Sequence, residues 1–158
     1  MKRYIAGLAF VVGLFLAAAA PAEAQRIPGA LGIGGQVGDP SGVTIKIYNP
    51  AGVSYDFLAA WDLDDFFFLN MHGQYERPLE VENVSGVEYF FGPGAFIGIR
   101  DRDAPVEDDF VLGISGRLGI NVPLEDRFEF YAQFTPRISL VPDTDGDLGG
   151  GLGVRYYF

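Results

Sequence analysis

The chain closes on Leu148-Gly-Gly-Gly-Leu-Gly-Val-Arg-Tyr-Tyr-Phe158. In a strand, successive side chains point to opposite faces. Leu148, Leu152, Val154, Tyr156 and Phe158 therefore share one face, and Gly149, Gly151, Gly153, Arg155 and Tyr157 the other. One face is apolar and ends in aromatics; the other is small or polar. That pattern suits the last strand of a barrel whose outside meets hydrocarbon and whose inside is narrow and polar.

The same period-two alternation recurs along the chain and predicts strands over 29–38, 43–48, 53–61, 66–76, 87–100, 110–122, 128–140 and 148–158. Short turn-forming runs separate them, such as Asp39-Pro-Ser-Gly42 and Asn49-Pro-Ala-Gly52. The fold expected is all-β, an eight-stranded antiparallel up-and-down transmembrane β-barrel. A soluble, lipocalin-like sheet has the opposite sense, with the apolar face inside and charge outside. Here the polar faces carry Gly and Ser as often as charge, which suits a tight lumen better than a solvated surface. Gly is abundant, 22 residues in all, and leaves room where facing side chains would collide. Pro93 and Pro136 fall within predicted strands; since a closed barrel has no edge to hold a proline, a bulge is expected at each.

The amino terminus reads as a secretory leader. Lys2 and Arg3 precede an uncharged apolar run from Tyr4 to Ala20, and Ala22-Glu-Ala24 offers a small-residue cleavage site. The expected organisation is a cleaved signal peptide over 1–24 and a single barrel domain over 25–158. With no cysteine there is no lipid anchor and no disulfide. Of the 11 basic and 21 acidic residues, removal of Lys2, Arg3 and Glu23 leaves 9 and 20, a net charge of −11. That excess argues against nucleic acid as a partner and against charge-driven attachment to an anionic surface.

An even strand number puts both ends of the barrel domain on one side, expected to be the periplasm. The segments 39–42, 62–65, 101–109 and 141–147 then face outward, with twelve acidic residues against Arg102 alone. The predicted lumen set is Lys46, Arg100, Arg117, Arg137 and Arg155 with Asp56, Glu76, Glu88 and Glu129. Desolvated charges must pair, and a barrel of eight strands is just filled by its own side chains. A salt-bridged plug is therefore expected, the alternative being a narrow, weakly anion-preferring path along the surplus arginines.

Signs of other chemistry are slight. Asp143-Thr-Asp-Gly-Asp147 spaces carboxylates as calcium loops do, but its glycine comes one place early and Val154 stands where the bidentate Glu belongs. His72, the lone histidine, would be an inward general base for a serine, yet its sequence neighbours supply no partner. No catalytic, cofactor-binding or metal residues are assigned, and no cofactor is expected.

With these residues placed, the chain resembles the small outer-membrane β-barrels of Gram-negative bacteria, the OmpA, OmpX and OmpW type. More narrowly it resembles a family of short barrel proteins of unassigned function. The residues that carry this likeness are Gly38-Asp-Pro-Ser-Gly42 with Lys46, Pro142–Asp145, and Gly151–Phe158. The resemblance implies the fold and the outer membrane as location; outer-membrane lipid and lipopolysaccharide are the surroundings expected, and a monomer the expected state. It also implies that Leu152, Val154, Tyr156 and Phe158 form the signal that barrel-assembly machinery reads. The role expected is structural, or surface interaction through acidic loops. A narrow solute channel is the alternative; a lipid-modifying enzyme and a secreted lipocalin-like carrier rank lower.

Overall fold

The structure, a computed structural model, describes residues 27–61, 66–82, 86–100, 109–124 and 127–158. Eight strands follow one another: β1 (Leu31–Asp39), β2 (Gly42–Ile47), β3 (Ser54–Trp61), β4 (Phe66–Pro78), β5 (Glu88–Arg100), β6 (Asp109–Leu124), β7 (Phe128–Val141) and β8 (Asp145–Tyr157). Each pairs antiparallel with its neighbour, and β8 pairs with β1, so the sheet closes. This is the fold class read from the alternation. At the end where β1 begins and β8 finishes, Gly29 takes a positive φ of 88°, which only glycine tolerates freely. That turn lets Gly29 N donate to Tyr48 O at 2.7 Å and Tyr48 N to Ala30 O at 3.0 Å, lengthening the β1–β2 ladder.

The outer wall is apolar. Leu118 is 56% exposed and Leu152 62%, and outward Leu, Ile, Val and Phe recur on every strand. Aromatics ring both rims. Trp61, Phe67 and Phe110 stand at one; at the other, Tyr156 packs edge-on against Phe128 and Phe158 with centroids 5.1 and 5.0 Å apart. The polar residues are inside: Lys46, Asp56, His72, Gln74, Asn121 and Glu129 have no solvent exposure at all. Water-facing folds bury the apolar set; this one displays it.

The prolines behave differently from expectation. The β5–β6 register runs unbroken through Pro93↔Gly116, and β4–β5 keeps the same register on either side of Pro93. No bulge forms there. The β4–β5 pairings lapse only at Gly73 and Gln74, so the missing N–H weakens one side of the ladder while the other stays whole. Pro136 likewise pairs in register with Leu148. The one shift in the β6–β7 ladder lies between Leu112 and Gly113, where β7 steps from Ser139 to Val141. The extra residue is thus Leu140, near the rim, where a bulge disturbs least. β8 also starts earlier than expected, which takes Asp145 and Asp147 out of the loop and into the strand.

Candidate functional site: the charged interior

The interior is built on a division of labour between strands. At mid-height β1 contributes Gly32 and Gly34, and β5, four strands away on the opposite wall, contributes Gly92 and Gly94. Tyr157 lies against Gly32 and His72 against Gly94, and long charged side chains from the other six strands converge between these two walls. Arg117 of β6 donates through Nη1 to Asp56 Oδ1 of β3, and the other oxygen of Asp56 accepts from Arg155 Nη2 of β8. Arg155 Nη1 donates to Glu129 Oε1 of β7 at 2.7 Å. Glu129 Oε1 lies 3.5 Å from Lys46 Nζ of β2, which also donates to Glu76 Oε1 of β4. The result is one chain of alternating sign, Arg117–Asp56–Arg155–Glu129–Lys46–Glu76, with three cations, three anions and no net charge.

Neutral donors complete the coordination. Arg155 Nε donates to Thr44 Oγ1 at 2.6 Å, and its guanidinium stacks 3.7 Å above the Tyr131 ring. Glu76 accepts from Ser54 at 2.5 Å and Asn121 at 2.7 Å, and Tyr157 donates to Glu129 at 3.0 Å. Such satisfaction is what makes buried charge tolerable, because an ion pair in a low dielectric repays desolvation only with its remaining lone pairs and protons occupied. Among the six charged residues of the chain, Arg117 is the one incompletely covered: its Nε and Nη2 are buried without a partner among the described residues, as are both amide atoms of Gln74 and Oδ1 of Asn121.

Two apolar layers bracket the charges. Ala60, Phe68 and Phe96 cluster toward the rim where β3 ends, with Phe68 and Phe96 stacked at 5.3 Å. Ala30, Tyr48 and Tyr157 cluster at the opposite end, the tyrosine rings 6.2 Å apart. The alternation had marked these strands as polar inside, and neither layer was anticipated. A detectable signal does exist for several of the large inward rings, which lie over an inward glycine of the paired strand. A Cβ on Gly113 would sit 2.4 Å from Phe96, one on Gly119 2.3 Å from Phe90, and one on Gly153 2.2 Å from Tyr131. A glycine opposite an aromatic at matching register is therefore the mark of a ring lying flat against the wall.

Not every residue of the predicted lumen set joins the chain. Arg137 turns to the far rim, pairing with Asp39 at 3.3 Å and with Asp147, its guanidinium 5.5 Å from the Phe68 ring. Glu88 is half-buried and accepts from Tyr48 at 3.1 Å. The side chain of Arg100, and the acidic runs 62–65 and 101–108, lie outside the described residues. Asp143 stands in a short β7–β8 turn; Asp145 accepts from Gly146 N and Asp147 from Leu148 N, and both carboxylates serve the local backbone. Among the described residues no group of three or more acidic, His or Cys side chains could hold a metal ion.

His72 does acquire a serine. Ser115 Oγ is 2.9 Å from His72 Nε2 and 3.5 Å from Asn70 Oδ1. Gly94, paired with both residues, lets them meet: a Cβ there would lie 2.4 Å from the His72 ring. Sequence reasoning could not see this contact, since 43 residues separate the two. Nucleophilic catalysis needs a third group to orient the base. His72 Nδ1 has no partner among the described residues, and the ring has no solvent exposure.

On the outer face, Leu152, Val154 and Phe158 are exposed and Tyr156 is half-exposed, all four on one side of β8. No family model matches the chain, and no curated protein matches it. Among solved structures it is similar to the N-terminal β-barrel domain of Pseudomonas aeruginosa OprF, with a TM-score of 0.61 at 13% identity over 82% of this chain and 96% of that one. Neisserial surface protein A (NspA) aligns with a TM-score of 0.46 at 13% identity, covering 82% of this chain and 94% of that one. The chain thus has the closed, eight-stranded antiparallel barrel fold of the OprF N-terminal domain.

Proposed function

We propose that the chain is an integral outer-membrane barrel with a charge-plugged lumen, and that its role is structural or exerted through its acidic outward loops. The observation that carries this reading is the neutral six-member ion chain spanning the interior between two apolar layers. A conducting lumen needs a wetted path with charge free to meet solute. Here six strands are tied together through groups with almost no exposure. The apolar outer wall with aromatics at both rims supports placement in a bilayer, and the leader over 1–24 supports export to the outer membrane. Residues 25–158 then form the mature, monomeric protein among outer-membrane lipid and lipopolysaccharide. Leu152, Val154, Tyr156 and Phe158 serve as the assembly signal. The buried His72–Ser115 pair acts as a hydrogen bond within the plug.

Planar-bilayer recording on the refolded residues 25–158 tests this reading. Inserted protein is expected to give no discrete conductance events. Reproducible events from the native sequence would overturn the plug and favour a narrow solute channel. Their loss of ion preference in Arg155→Met would then identify the selectivity determinant.

A further inference from the structure

The outer wall is not uniformly convex. Across β1, β8, β7 and β6 a groove of about 470 Å³, lined almost wholly by apolar atoms, is framed by Val37, Leu152 and Val154, Phe130, and Ile120 and Val122. Small residues make it. Gly35, paired with Val154, and Ala132, paired with Leu152, leave the wall low on either side of β8. Its size is in the range of ligand pockets, about 300–1,000 Å³. The wall of a second barrel is convex, and a convex wall bridges a concavity instead of filling it. A single flexible hydrocarbon chain would lie along it.

What stands at the groove's end identifies the rest of the ligand. Phe130 and Val154 form its last outward pair before the rim, and the next pair is Phe128 with Tyr156. Two residues of strand span roughly 7 Å. There the Tyr156 hydroxyl accepts a hydrogen bond from Arg127 Nη1 at 2.8 Å, on the exposed rim. Arginine is suited to phosphate, and Tyr and Trp prefer the headgroup level. We infer that this groove is a phospholipid site of the leaflet facing the chain termini, with an acyl chain in the trough over Gly35 and Ala132 and the lipid phosphate on Arg127 and Tyr156. The inference rests on the reading that the outer wall faces lipid. Most of the chain's negative charge lies in the outward segments of the other rim, although Glu125 and Asp126 precede Arg127 in the sequence.

Quenching by bromine-labelled acyl chains tests the site in vesicles, with phosphatidylglycerol and phosphatidylcholine as the two probes. Phosphatidylglycerol leaves its phosphate free of the choline cation that competes with Arg127. The reporter is Phe130→Trp in a Trp61→Phe background. Native Trp61, the only tryptophan, lies on β3 at the opposite rim and reports ordinary surrounding lipid. The expected result is a preference of up to about fivefold for phosphatidylglycerol at the Phe130→Trp reporter, the size that one basic residue gives at an anionic lipid surface. Arg127→Gln should abolish the preference, and Trp61 should show none. Gly35→Leu should lower quenching by either lipid, since a Cβ at Gly35 meets only Gly42 O at 3.8 Å and the side chain can fill the trough without disturbing the sheet. Equal preference at both tryptophans, or indifference to Arg127→Gln or Gly35→Leu, would overturn the site. Quenching at the Phe130→Trp reporter that falls as protein-to-lipid ratio rises would mean that a second copy covers the wall. If neither tryptophan is quenched, the wall does not face lipid and the membrane reading itself fails.

Discussion

Asp56 is the residue on which the interior turns, and Asp56→Asn is the most informative single change. Its two oxygens hold two arginines from different strands, and it has no exposure. Asparagine keeps the volume and removes the charge. Arg117 would then have no carboxylate, and Arg155 would keep only Glu129. Leaving one member of a buried pair uncompensated costs about 3–5 kcal/mol, against a total stability of about 5–15 kcal/mol for a domain. For a chain of this length that lowers the melting midpoint by roughly 10–20 °C. Arg117→Met should cost much less. It leaves Asp56 paired with Arg155, and it removes two buried nitrogens, Nε and Nη2, whose N–H groups have no partner among the described residues; burying an unpaired polar group costs about 1–3 kcal/mol. The double change Asp56→Asn/Arg117→Met should recover part of the loss. Urea unfolding of the refolded protein in detergent, followed by Trp61 fluorescence, measures all three. A cost below about 1 kcal/mol for Asp56→Asn, or equal costs for the two single changes, would refute the view that alternating charge holds the interior together.

Two further outcomes follow from the wall and the glycines. Leu118→Arg places a charge on the outward face of β6 at a position 56% exposed; in vesicles it should destabilise by about 2–4 kcal/mol, whereas on a water-facing barrel it would be neutral. Equal urea midpoints for native and variant protein would contradict a lipid-facing wall. Gly153→Ala puts a methyl group 2.2 Å from the Tyr131 ring and should cost about 1–3 kcal/mol by overpacking. Adding Tyr131→Ser should return part of that cost, and strictly additive unfolding energies would show that the ring does not rely on the glycine.

Much of this molecule is legible in one dimension. Strand existence and facing follow from parity, and parity survives everything that happens later, because a slip of one residue would turn every apolar side chain inward. Hence the eight strands appear within a few residues of their expected bounds. The prolines were misjudged because a residue's effect on a ladder depends on which neighbour its N–H faces, and that is a property of the sheet. Pro93 keeps register with both neighbours, while the irregularity falls at Leu140, which carries no sequence mark.

That Lys46, Asp56, Glu76, Arg117, Glu129 and Arg155 point inward was also legible, since every inward position of a strand is known once its parity is known. Which charges meet was not. Arg117 reaches Asp56 across 61 residues, and Arg155 reaches the same carboxylate across 99. Those contacts exist because closure folds six strands around a common axis, between the glycine-bearing walls of β1 and β5. Arg137 shows the same point from the other side: its alternation matches Arg117, yet its height in the barrel sends it to Asp39 and Asp147 at the rim. Composition and alternation by themselves determined a barrel with an apolar wall outside and charge within. Only closure decided the pairing, because partners across a lumen are set by strand order and stagger, which no local pattern encodes.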